Sequence, residues 1–248
     1  MTQRTLVQTH LLDTWKRCRG YYKTPETDNG LLVGPIVAYT ATYKDGGTDK
    51  RYVGTEYYDF AMVEEHHQAV DEFAAAAYGN FCELKLDCRP DVVIAAPMGG
   101  IVFGHALTRR RLDIRFGFAE KRSSKSGGTG EELILGRHRV TMGEKVVLVE
   151  DVANNFATTG KLVQLVEDAG GEVLALICAL NRSERGLKAW INPKTGLGFP
   201  VVSALFRPTP QYRQDDPKVA GAIAEGEVLW DPKVEWHKLS AAMSLAKP

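Results

Sequence analysis

From Pro90 onward the chain alternates continuous apolar runs with helix-like stretches, and this alternation constrains its fold more than any other feature. Residues 92–96, 114–119, 145–149, 172–180 and 200–205 read as strands, with helices over residues 101–111 and 158–169. A strand with one wet face shows a polar residue at every second position, whereas a strand covered on both faces is apolar throughout. The pattern therefore predicts an α/β fold: a mainly parallel, five-stranded sheet flanked by helices.

The first 80 residues have a different texture. Residues 6–19 mix apolar and charged positions and stop at Gly20, the mark of a short amphipathic helix. Two β-branched and aromatic runs, residues 33–43 and 51–57, flank the turn sequence KDGGTDK and predict a hairpin. Residues 60–78 predict a helix ending at Gly79. Beyond Arg207, the prolines Pro208, Pro210, Pro217 and Pro232 come with the tryptophans Trp230 and Trp236, a tail too aromatic for plain disorder. We expect a small N-terminal hood region (residues 1–80), a core (81–207), and a C-terminal extension (208–248) that packs on the body.

Lys+Arg and Asp+Glu both number 31, so the net charge is zero, which weighs against a general nucleic-acid binder. The four cysteines form no CxxC pair and read as reduced thiols. No apolar run approaches the ~18 residues of a membrane span. The expectation is a cytoplasmic protein without a membrane or nucleic-acid partner.

Four segments carry chemistry. In VVLVEDVANNFATTG (residues 146–160), Glu150 and Asp151 end an apolar strand, and a polar loop then opens a helix. Ligands of open α/β sheets bind beyond the carboxyl ends of strands. Backbone N–H groups at a helix start suit phosphate, and Thr158 and Thr159 add hydroxyls. The two acids then suit ribose hydroxyls rather than phosphate, unless they only cap the helix. In APMGGI (96–101), two glycines after a strand let backbone approach an anion closely. FAEKR (118–122) leads into a loop rich in glycine and serine that carries Lys125. In ALNRSERG (179–186), Arg182 offers a planar fork that matches a carboxylate.

In this order, across roughly half the chain, these segments resemble the type I phosphoribosyltransferases, and most closely the orotate phosphoribosyltransferases. The resemblance implies an enzyme that binds phosphoribosyl pyrophosphate and orotate and works with Mg2+ held mainly through the substrate. It implies a homodimer, because the family's mobile loop reaches across to a neighbour. It places Met98, Gly99, Gly100, Lys121, Glu150, Asp151, Asn154, Asn155, Phe156, Ala157 and Thr158 around phosphoribosyl pyrophosphate. Lys125, Asp151 and Glu150 become the catalytic candidates, and Arg182 and Lys23 the orotate contacts. Three departures mark this chain. Residues 154–158 replace Thr-Thr-Gly-Gly-Thr, with Phe156 at a glycine position. Glu120 stands where the family has arginine, and Asn181 where an acid is usual. A phosphoribosyltransferase for another base, or a non-catalytic phosphoribosyl-pyrophosphate-binding regulatory protein, remains open as an alternative.

Overall fold

The computed structural model describes residues 2–123, 131–193 and 195–245. In chain order the elements begin with α1 (Gln3–Arg17), β1 (Tyr21–Lys23), β2 (Ile36–Asp45), β3 (Thr48–Gly54), β4 (Glu56–Tyr58), α2 (Ala61–Glu64) and α3 (His67–Cys82). Then come β5 (Val92–Ala95), α4 (Gly99–Leu107), β6 (Arg115–Phe118), β7 (Glu120–Ser123), β8 (Glu131–Ile134), β9 (Lys145–Ala153) and α5 (Ala157–Asp168). The chain continues through β10 (Glu172–Asn181), β11 (Ala189–Ile191), β12 (Gly198–Phe206), α6 (Pro217–Ala224), β13 (Val228–Leu229) and α7 (Trp236–Leu245).

The fold divides into two compact units, one of residues 1–14 and 64–208, the other of residues 15–63 and 209–248. The first holds a six-stranded sheet in the order β11-β12-β10-β9-β5-β6. Five of these strands run parallel, as the apolar runs predict, and β11 adds a three-residue antiparallel edge beside β12. The order records a reversal of direction: the chain steps from β5 outward to β6, then returns to the other side of β5 to lay down β9, β10 and β12. A switch point of this kind leaves a crevice at the carboxyl ends of its two central strands, here β5 and β9.

The strands are apolar throughout because both faces are covered. Val146 and Leu148 share one face with Leu162, Val163 and Val166 of α5. Val149, of the opposite parity, meets Gly104 of α4 on the other face. Burying each such Val or Leu contributes about 1.5–3 kcal/mol, so these two layers account for much of the sheet's stability.

Several boundaries differ from the sequence expectation for identifiable reasons. The helix expected over residues 60–78 is two helices, parted where His66 adopts extended backbone before α3. Gly79 does not end α3: Ala77 and Phe81 on either side are buried, and this packing outweighs the ~1 kcal/mol that an interior glycine costs. The helix expected to reach residue 111 gives way after Leu107 to a wider π turn, Thr108–Leu112, closed by Asp113 in the left-handed region. Strand β9 continues past the two acids to Ala153, because Val152 and Ala153 pair with Leu180 and Asn181. Residues 120–123 form a strand, since β7 and β8 make a hairpin that pairs Lys121 with Leu133.

In the second unit, β2 and β3 form the expected hairpin, and β13 joins β2 in parallel with Val228 opposite Ile36. Arg51 fastens this sheet by donating from Nε to the Tyr39 carbonyl at 2.6 Å and from Nη1 to the Trp230 carbonyl at 2.6 Å. Among the described residues, no helix is long and apolar enough to cross a membrane.

Candidate active site

The switch point brings two of the four sequence segments together. Strand β5 ends at Ala95, and α4 begins four residues later at Gly99. A side chain at Gly99 would place its Cβ 2.1 Å from Asp151 Oδ2, and one at Gly100 would lie 2.8 Å from the Val149 carbonyl oxygen. The loop therefore rests directly against the end of β9, and only glycine permits that approach. The Pro97–Met98 peptide is cis, and Met98 stands 76% exposed beside the glycine pair. Neither α4 nor α5 receives a side-chain cap at its N-cap residue. Both helices start just beyond the carboxyl ends of β5 and β9, so the positive ends of their dipoles lie at that edge of the sheet.

Strand pleating separates the two acids. Asp151 has the parity of Val149, lies beside Gly99 and is half-buried. Glu150 has the parity of Val146 and Leu148, is only 5% exposed, and accepts a hydrogen bond from Thr159 Oγ at 2.6 Å. Burial pushes the Glu150 carboxyl up to about 7, against the Thr159 hydrogen bond, with the negative charge of Asp151 adding to the rise. Thr159 is itself fully buried, whereas Thr158 is exposed. The two threonines, equivalent as hydroxyl donors in the sequence, therefore differ: only Thr158 keeps its side chain toward solvent.

The loop before α5 holds its shape without the family's glycine. Phe156 sits in the left-handed region at φ 58 and ψ 22, a conformation normally left to glycine or asparagine. Its side chain is 7% exposed and belongs to the buried core cluster that also holds Ala96, Ala119, Ala153 and Leu162. Asn155 Oδ1 accepts from the Ala157 N–H at 3.2 Å and so closes the turn locally. Asn155 and Ala157 are exposed, and Asn154 is half-buried.

The segment after β10 is built around Asn181. Its Nδ2 donates to the Leu187 carbonyl at 2.7 Å, while its Oδ1 accepts from the Ser183 N–H at 3.1 Å and from the Ser183 hydroxyl at 2.8 Å. An aspartate could make only the accepting half of this set. Arg182 is 4% exposed, and its backbone N–H donates to the Ala153 carbonyl at 2.9 Å, tying this segment to the end of β9.

Lys121 lies exposed on β7. Its neighbour Glu120, at the family's arginine position, accepts from the Arg137 backbone N–H at 3.1 Å and from Arg137 Nε at 2.9 Å. Those hydrogen bonds hold its carboxyl below the usual carboxylate range. Sequence reading missed this pair, which spans 17 residues with no periodic signal between them. Lys23 belongs to β1 of the second unit, 4.0 Å from Glu26. Lys125 lies outside the described residues.

A family model described as a phosphoribosyl transferase domain matches residues 60–204. An orotate phosphoribosyltransferase of Caulobacter vibrioides (strain NA1000 / CB15N) is 30% identical over 125 residues, covering 50% of this chain and 57% of that protein. One from Chlorobium phaeobacteroides is 27% identical over 156 residues, covering 63% of this chain and 75% of that protein. The chain thus spans little more than half the length of the Caulobacter relative. Among solved structures, the orotate phosphoribosyltransferase of Aeropyrum pernix superposes with a TM-score of 0.49 at 18% identity, covering 79% of this chain and 93% of that one.

Proposed function

Because the chain belongs to the phosphoribosyl transferase domain family, we propose that it is an orotate phosphoribosyltransferase, a pentosyltransferase that joins orotate to phosphoribosyl pyrophosphate and yields orotidine 5′-monophosphate and pyrophosphate. The observation that carries this reading is the meeting of Gly99 and Asp151 at the switch point between β5 and β9. The relatives named as orotate phosphoribosyltransferases support orotate as the base, and so does the ALNRSERG segment with its guanidinium fork.

In this reaction the bond from the ribose anomeric carbon to pyrophosphate breaks, and a bond from that carbon to the orotate ring nitrogen forms. Positive charge develops on the ribose while negative charge leaves with pyrophosphate. The protein's task is to position the reactants and stabilise that charge. The Met98–Gly100 backbone lies against the departing pyrophosphate, with Lys121 and Lys125 neutralising it. Asp151 accepts from the ribose hydroxyls. Residues 154–158 and the first turn of α5 receive the 5′-phosphate. Arg182 orients the orotate carboxylate.

Magnesium keeps much of its water and binds phosphate oxygens readily. Among the described residues no group of three or more His, Cys, Asp or Glu side chains could hold a metal. We expect the ion to be carried mainly by the substrate's own oxygens. When bound, it supplies charge neutralisation for the pyrophosphate.

In this reading residues 81–207 carry the transferase core, residues 1–80 the hood region, and residues 208–248 an extension. The protein works as a cytoplasmic homodimer in pyrimidine nucleotide synthesis. The left-handed Phe156 favours a second reading, a non-catalytic binder of phosphoribosyl pyrophosphate. A spectrophotometric assay of orotate consumption with phosphoribosyl pyrophosphate and magnesium separates the two. We expect turnover by the wild type and a loss of about a hundredfold or more in Arg182→Ala, the scale of a buried carboxylate contact. Turnover of adenine, hypoxanthine or uracil but not orotate would replace the base. Binding without turnover would establish the regulatory reading.

A further inference from the structure

We infer that Glu150 is a positioning residue rather than a ribose contact: through Thr159 it braces the strand that carries Asp151 against the helix whose first turn faces the phosphate. This inference rests on the phosphoribosyl pyrophosphate reading of the site and deepens it.

Three observations support the brace. Glu150 is 5% exposed and Thr159 fully buried, so their hydrogen bond at 2.6 Å is shielded from water. Thr159 lies in the first turn of α5, and Glu150 immediately precedes Asp151 in β9, so the bond joins the two elements at the level of the site. The pleat directs Glu150 toward α5, away from the face where Asp151 meets Gly99. A ribose held by Asp151 beside the glycine loop thus lies across the sheet from Glu150.

The brace is linked to a proton. The groups facing Glu150 are the Thr159 hydroxyl from α5, Cys178 directly opposite on β10, and Asp151 beside it on β9. Burial holds the Cys178 thiol well above its ordinary range, so it brings no charge, and Asp151 brings only more negative charge. None of these groups supplies a cation. Burial accordingly raises the Glu150 carboxyl to about 7. Below that pH a neutral acid accepts from Thr159 at little cost. Above it, an ionised carboxylate with one hydroxyl partner is driven to recruit water, and the junction of β9 with α5 loosens. The grip on phosphate would then weaken as pH rises through neutrality, in addition to any titration of the substrate.

Hydrogen–deuterium exchange of residues 158–162, corrected for intrinsic rates, tests the brace without ligand. We expect wild type and Glu150→Gln to exchange alike at pH 5.5. At pH 8.5 the wild type should exchange faster by on the order of tenfold. Thr159→Ser should follow the wild type, and Thr159→Val should exchange fast at both values. Equal exchange in wild type and Glu150→Gln at both pH values would overturn the brace. Calorimetric titration with phosphoribosyl pyrophosphate adds the second arm. The ratio of wild-type to Glu150→Gln dissociation constants should climb with pH. A loss in Glu150→Gln matching that of Asp151→Asn at every pH would make Glu150 a ribose contact and end the inference. If phosphoribosyl pyrophosphate does not bind the wild type at all, the functional reading falls, while the exchange comparison still decides the brace.

Discussion

The Thr159 hydroxyl donates to the Glu150 carboxyl across 2.6 Å, on the face of β9 opposite the one where Asp151 lies against Gly99. Two adjacent acids that look interchangeable in the sequence thereby acquire different environments. One is sealed beneath a helix, and the other stands at the crevice of the sheet.

The sealed acid makes stability depend on pH. In the folded chain Glu150 keeps its proton up to about 7, whereas its ordinary value is 4.5. Between those values the folded state binds more protons than the unfolded state, so stability from this group falls as pH rises and levels off above 7. The shift corresponds to a loss on the order of 3 kcal/mol across that window. Urea unfolding of wild type and Glu150→Gln at several pH values should show the wild type falling relative to the variant from pH 4.5 to 7. A constant difference across that range would contradict the buried, protonated acid.

Gly99 and Gly79 make a paired test of where glycine is required. Gly99→Ala would force a Cβ to within 2.1 Å of Asp151 Oδ2, so the loop or the carboxylate must move. We expect KM for phosphoribosyl pyrophosphate to rise about tenfold or more, as for a catalytic geometry displaced by about 1 Å. Gly79→Ala meets nothing within 4 Å inside a helix. It should leave kinetics unchanged and stabilise the fold by about 0.5–1 kcal/mol. Steady-state kinetics and thermal unfolding of both variants check the contrast.

Phe156 combines a buried ring with a left-handed backbone. Truncation to alanine removes the ring and keeps the strain, at a cost of about 3–5 kcal/mol. Phe156→Gly loses the same packing but relieves a conformation that costs residues with a Cβ about 1–2 kcal/mol. Chemical denaturation should therefore find the glycine variant more stable than the alanine variant, the reverse of the usual order. An alanine variant equal to or more stable than glycine would contradict the left-handed assignment.

Asn181→Asp restores the acid usual in the orotate enzymes and should nonetheless do harm. The Nδ2 group donates to the Leu187 carbonyl at 2.7 Å, and a carboxylate there would face that oxygen without a donor. The expected loss is about 1–3 kcal/mol, read by thermal unfolding. Poorer orotate binding should accompany it, because the segment that carries Arg182 depends on that turn. A neutral or stabilised variant would show that the turn does not rely on the amide.

Much of this architecture was legible in the sequence. Continuous apolar runs can be strands only if both faces are covered, which gave the parallel sheet, and the glycine pair after β5 marked a close backbone approach. The opposing directions of Glu150 and Asp151 were harder to see. In a strand buried on both faces every upstream residue is apolar, so no polar alternation shows which parity faces which helix. The parity emerges only when Leu162 is found packed with Leu148, and Gly104 against Val149. The β7–β8 hairpin and strands β11 and β13 escaped for another reason. At two to four residues each they are too short for any period, and they exist through their partners. Sequence reading ended α3 at Gly79 because it weighed a local glycine cost without the burial of Ala77 and Phe81.

The most direct test of the account is isothermal titration of the wild type and Asp151→Asn with phosphoribosyl pyrophosphate in the presence of magnesium. Binding by the wild type, weakened about tenfold or more in the variant, is the predicted result for a carboxylate that accepts from ribose hydroxyls. Equal affinity in the two proteins, or no binding by either, would contradict the placement of the sugar phosphate at the β5–β9 switch point.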